Sequence, residues 1–124
     1  MKKAILFYLC LALLSLNCGN TAPKTNSVSQ LTAQDKELLK GIQGKIFDAF
    51  VQTNIQNTPD ALIDIREKLK KLSDANPNNL ITYWQSYAQY YLSIFYMTQK
   101  NNDQSEEEID LAVDLLDDMK GKNA

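Results

Sequence analysis

Apolar residues recur at helical spacing in four stretches of the chain. From Thr32 on, Leu39, Ile42, Ile46, Ala49 and Phe50 fall three or four apart, with Leu38 and Phe47 beside them. Thr32 and Asp35, three residues on, approximate a capping box. Gly41 and Gly44 sit inside this pattern, each about 1 kcal/mol less favourable than Ala inside a helix. Either they admit a neighbouring helix closely or they are weak spots without a role. Gln52 to Gln56 is polar and is expected to end the first helix. Thr58-Pro59-Asp60 starts a second, with Thr as N-cap, Pro at the first position and an acid in the first turn. Its expected buried stripe is Leu62, Ile65, Leu69 and Leu72, with Arg66, Glu67, Lys68, Lys70 and Lys71 toward water.

The third stretch, Leu80 to Met97, is the one around which the others are arranged. It holds the sole Trp (Trp84), five of the six Tyr and no charge. Its length approaches that of a membrane span, but Thr82, Gln85, Ser86, Gln89 and Ser93 recur on one side. A helix buried on a wide face, running to about Gln99, is the expectation. Asp74 to Asn79 separates it from the second helix, and Lys100 to Gln104 forms the next loop. Ser105 with Glu108 reads as a capping box opening a fourth helix that buries Ile109, Ala112, Val113, Leu116 and Met119. Gly121 suits its C-terminal stop.

The four helices repeat. An offset of 47 places Thr58, Leu62, Ile65, Leu69 and Leu72 on Ser105, Ile109, Ala112, Leu116 and Met119. An offset of 45 places Leu39, Ile42, Ile46, Ala49 and Phe50 on Trp84, Tyr87, Tyr91, Ile94 and Phe95. Such self-similarity marks arrays of helical hairpins. Asn76-Pro77-Asn78-Asn79, then Trp84, Tyr87, Ala88 and Tyr91, then Ala112 and Leu115, resemble a tetratricopeptide repeat, more faintly echoed from Thr32 to Ala75. The unit is longer than that family's, and Ala88 stands in place of its Gly. The expected fold is all-α: two antiparallel helical hairpins, tetratricopeptide-like, or the same four helices closed as a small bundle. The domain spans 32–121. Two hairpins fall short of the roughly three units that arrays usually need, so homodimerisation through exposed faces and descent from a longer array both stay open.

The N-terminus changes the picture of where this domain resides. Met1-Lys2-Lys3 followed by the uncharged run Ala4 to Leu16 has the form of a secretory signal, too short to span as a helix. Leu14-Ser15-Leu16-Asn17-Cys18-Gly19-Asn20 resembles a bacterial lipoprotein signal, which implies cleavage after residue 17 and a lipid on Cys18. Ser15 and Asn17 depart from the usual pattern, and cleavage after Ala22 is the competing reading, though Pro23 would then follow the cut. Cys10 leaves with the signal, so Cys18 is the sole cysteine of the exported chain, and lipidation accounts for it. Residues 18–31 are polar, contain Gly19 and Pro23, and read as a tether able to reach about 40 Å from the membrane. The expected address is the bacterial cell envelope, periplasmic side. Net charge is −2; loss of Lys2 and Lys3 leaves 11 basic against 15 acidic residues. With no basic stripe, nucleic acid is not an expected partner.

The inventory for catalysis is sparse. The chain has no His, no Gly-rich phosphate loop and no nucleophile-elbow motif. Asp103, Glu106, Glu107, Glu108, Asp110, Asp114, Asp117 and Asp118 lack the alternation and central Gly of a calcium loop, and read as capping plus a solvated face. No catalytic residue, metal site or cofactor is therefore expected. Trp84, Tyr87, Tyr91, Ile94 and Phe95 are expected to fill the core. Tyr83, Tyr90 and Met97 lie off that stripe with Tyr87 between them, and the resemblance puts the first helix of each hairpin on a concave groove. Tyr83, Tyr87 and Tyr90 are thus the candidate partner-binding residues. The expected function is non-catalytic: an envelope lipoprotein whose helical domain binds another envelope protein or peptide. The alternatives are a carrier of a small apolar ligand or lipid, and a structural subunit of an envelope complex.

Overall fold

Five helices follow one another in the structure, a computed structural model that describes residues 31–120: α1 (Ala33–Leu39), α2 (Ile42–Gln56), α3 (Asp60–Ala75), α4 (Asn79–Thr98) and α5 (Asn102–Lys120). All regular structure among the described residues is helical. The signal, Cys18, the tether up to residue 30 and the Gly121 stop lie outside them. No described helix is long and apolar enough to cross a membrane.

The count is five rather than four because the first expected helix is two. Thr32 forms the capping box with Asp35 in both directions, at 3.1 and 2.8 Å. Gly41 then adopts a left-handed φ of +64° and ends the run after one short helix. Lys45, from the next helix, donates to the carbonyls of Glu37 and Leu38 and so caps the orphaned end of α1. Neither glycine serves a close helix approach: a Cβ at Gly41 or Gly44 would meet nothing within 4 Å. The polar stretch Gln52 to Gln56 forms the last turn of α2, which ends at Gln56 where Asn57 turns left-handed at φ 56°. Thr58 is not a cap either; Pro59 precedes α3 without any side-chain cap.

Short turns make successive helices neighbours. After α2, the Thr58 N–H returns to the Thr53 carbonyl (3.2 Å), and after α4 the Asn101 N–H returns to Tyr96 (2.9 Å). Both are the long return bond that closes a helix end through a left-handed residue. Here Asn57 and Lys100, not Gly, take that conformation. Asn78 caps α4 by accepting from the Leu80 N–H (2.8 Å).

The helices converge on α4, which packs against α2, α3 and α5, while α2 also packs on α3. The core joins Ile42 and Ile46 of α2, Leu62, Ile65 and Leu69 of α3, and Ala88 and Leu92 of α4. All four expected positions of α3, Leu72 included, are buried. The expected stripe of α5 is buried only in part: Ala112 is buried, Ile109 and Met119 are half-buried, and Val113 and Leu116 are exposed, while Glu108, outside the stripe, is buried. As the last of the five helices, α5 turns its 105–108–112 side toward α4 and leaves Leu111, Val113 and Leu116 exposed.

Candidate functional site

With 3.6 residues per turn, α4 presents different side chains to each direction. One side, Ile81, Ala88, Leu92 and Phe95, is buried with the apolar core residues. A second side, read in the sequence as its polar one, is also buried. There the Ser86 hydroxyl donates to the Ala112 carbonyl (2.8 Å), and Ser93 and Ser105 exchange hydroxyl-to-carbonyl bonds, each 3.0 Å. Small hydroxyl residues let the two backbones come close while every buried polar atom in these contacts keeps a partner. Ser105 therefore lies inside α5, at the crossing with α4. The helix begins three residues earlier than its expected cap, with the Asn101 side chain accepting from the Gln104 N–H (3.3 Å).

Glu108 completes this seam. It is 6 % exposed, not part of a solvated face. It accepts from the Gln89 and Gln104 carboxamides and pairs with Arg66 of α3 at 3.4 Å. Burial pushes its carboxyl above the ordinary value, against the pull of Arg66 and the Gln104 hydrogen bond. Arg66, expected to face water, instead bridges α3 to α5.

The third side of α4 is aromatic and open. Tyr83 and Tyr90 are 41 % and 47 % exposed, with Met97 exposed one repeat of seven further on. Tyr83 meets Trp84 edge-on (5.0 Å between centroids) and stacks with Tyr87 (6.2 Å). Tyr87 meets Tyr91 (5.1 Å), and Tyr91 meets both Tyr90 (5.8 Å) and Phe50 of α2 (4.8 Å). Six rings thus form one connected patch across α2 and α4. The hydroxyls of Tyr87 and Tyr91 share a hydrogen bond (3.4 Å), which, with burial added, raises Tyr91 above its ordinary value.

The structure brings all three sequence candidates, Tyr83, Tyr87 and Tyr90, into this patch. Trp84, Tyr87, Tyr91 and Ile94, expected as core filling, are half-buried; of that set only Phe95 is fully buried. Trp84, Tyr87 and Tyr91 floor the patch while packing its underside on the core. Phe50 of α2, like Trp84 and Tyr91, is a member of the patch expected only as core filling. Beside it, Phe47, Val51 and Ile55 continue along α2 at spacings of four and remain exposed. Their periodicity was available in the sequence, but ending the helix at the polar residues after Val51 hid it.

Two clefts lie elsewhere, one of about 830 Å³ against α3, α4 and α5, and one of about 480 Å³ between α1 and α3, and neither is lined by an aromatic ring. Among the described residues, no group of three or more His, Cys, Asp or Glu is placed to hold a metal ion. Compared with protein-family models, curated proteins and solved structures, the chain matches none.

Proposed function

We propose that this chain is a non-catalytic envelope lipoprotein, anchored through lipid on Cys18, whose helical-hairpin domain binds another protein through the aromatic face of α2 and α4. The observation that carries the reading is the connected patch of six rings with exposed Tyr83 and Tyr90 at its surface. Tyr and Trp combine a large apolar ring with a polar atom and are enriched where protein partners meet. Contiguous exposed apolar surface of this kind is uncommon on a protein without a partner. The packing order supports a tetratricopeptide-like array of two hairpins, α2–α3 and α4–α5, because α4 rests on both helices of the preceding hairpin. The first helices of the two hairpins then share one face. The larger cleft, with Pro77 and Leu115 as its sole apolar lining residues, speaks for a protein partner over a carried apolar ligand.

Native mass spectrometry of the chain extracted gently from its own membranes tests this. The expected species is residues 18–124 with acyl chains, together with an added polypeptide. The double variant Tyr83→Ala, Tyr90→Ala should return the acylated chain alone, with unchanged helical circular dichroism. An unmodified chain that begins after Cys18 and travels without a companion would overturn the reading. A variant that loses its helicity would assign both rings to the core instead.

A further inference from the structure

One buried polar side chain of α4 is not absorbed by the seam with α5. Gln85 is 8 % exposed, yet no group among the described residues bonds its carboxamide. Gln89, four residues on, donates to Glu108 and shows the contrast. Gln85 lines the cleft of about 830 Å³, which is bounded by the end of α3, the turn into α4 and the last turns of α5. That volume lies within the roughly 300–1,000 Å³ range of small-molecule sites.

The chemistry of the lining narrows the occupant. The Asn79 carboxamide also lacks a partner among the described residues, and Asn78 spends only its carbonyl oxygen on the Leu80 N–H. The Ser73 and Thr82 hydroxyls bond each other at 3.2 Å and remain able to accept. Lys70 is held by Asp74 at 2.9 Å, and Asp118 adds a second carboxylate, so the lining is not attractive to an anion. Pro77 and Leu115 are its sole apolar members, too few to hold a lipid. A carboxamide sets a donor beside an acceptor. Two vicinal hydroxyls match that pair, one accepting from the N–H and the other donating to the carbonyl.

We propose that this cleft binds a neutral saccharide, through vicinal hydroxyls held by the Gln85 and Asn79 carboxamides. The site is separate from the aromatic face, none of whose rings lines it. The test is NMR of the full ¹⁵N-labelled chain in a detergent without a sugar headgroup, titrated with maltose, cellobiose and N,N′-diacetylchitobiose. At least one should shift the side-chain amide signals of Gln85 and Asn79 saturably. Gln85→Leu should weaken that binding about tenfold or more, the loss expected for two hydrogen bonds, while Tyr83→Ala leaves it unchanged. Should the Leu variant fail to fold, Asn79→Ala serves instead, read at the Gln85 signal. No saturable shift with any of the three, or equal binding by the variants, overturns the proposal. A shift with neutral tetra-alanine and none with a saccharide does so too, and assigns the cleft to a peptide main chain.

Discussion

At the scale of single residues, the buried polar atoms carry the sharpest consequences. The ordinary carboxyl value of 4.5 is raised at Glu108 by burial, with Arg66 and Gln104 opposing. The folded state therefore keeps that proton to higher pH than the unfolded chain. The stability this contributes is complete below the unfolded value and is lost as pH rises through the raised folded one. Glu108→Gln should flatten that part of the stability curve, and because both carboxylate oxygens accept from donors it should lower the urea midpoint at neutral pH; a raised midpoint would show that burial outweighs the attraction of Arg66. Thr53 gives a second case. Its hydroxyl is fully buried and bonded to nothing among the described residues, so Thr53→Val, of nearly equal shape, should stabilise by about 1 kcal/mol in denaturant titration. Neither residue was recognisable beforehand. Thr53 sits in a polar run read as the end of a helix, and Glu108 in an acidic run that looks like a cap. A residue's type shows what it could bond, whereas its burial depends on which neighbour arrives.

At the scale of elements, the turns decide more than the helices. Two glycines three residues apart should respond in opposite directions. Gly41 has a φ of +64°, so Gly41→Ala should destabilise by about 1 kcal/mol. Gly44 is helical with open space around it, so Gly44→Ala should stabilise by a similar amount. Lys100 holds a left-handed φ of 58° that suits glycine better, and Lys100→Gly should raise the thermal midpoint, by about 1 kcal/mol of stability. Thermal unfolding of the three variants checks all three signs. The Thr32 capping box and the buried stripe of α3 were fully legible, since both depend on residues within one helix. The break at Gly41 was not, because periodicity passes through it unbroken. The three early residues of α5 were missed because Ser105 satisfies the cap pattern as well as Asn101 does.

At the scale of the molecule, α4 is held on three sides, whereas α5 is held chiefly by α4 and the Arg66 bridge. Local opening follows how much apolar side chain an element buries, and α3 buries Leu62, Ile65, Leu69 and Leu72 whereas α5 buries Ala112 alone among its described apolar residues. Native-state hydrogen exchange should therefore find amides of α5 opening well before those of α3 and α4; uniform protection would show one cooperative unit instead. The sequence by itself determined the helical class, the buried stripe of α3, the uncharged central helix and the tyrosines that stay exposed on it. These follow from a repeat that each helix carries within its own residues. Only the tertiary structure decided which side of α4 is wet. Its serines and Gln89 are buried where α5 supplies carbonyls and a carboxylate for them, and Tyr83 and Tyr90 are open because no further helix among the described residues covers them. A polar side chain becomes interior when a partner can satisfy it, and that partner lies on another helix, beyond the reach of any pattern read along one.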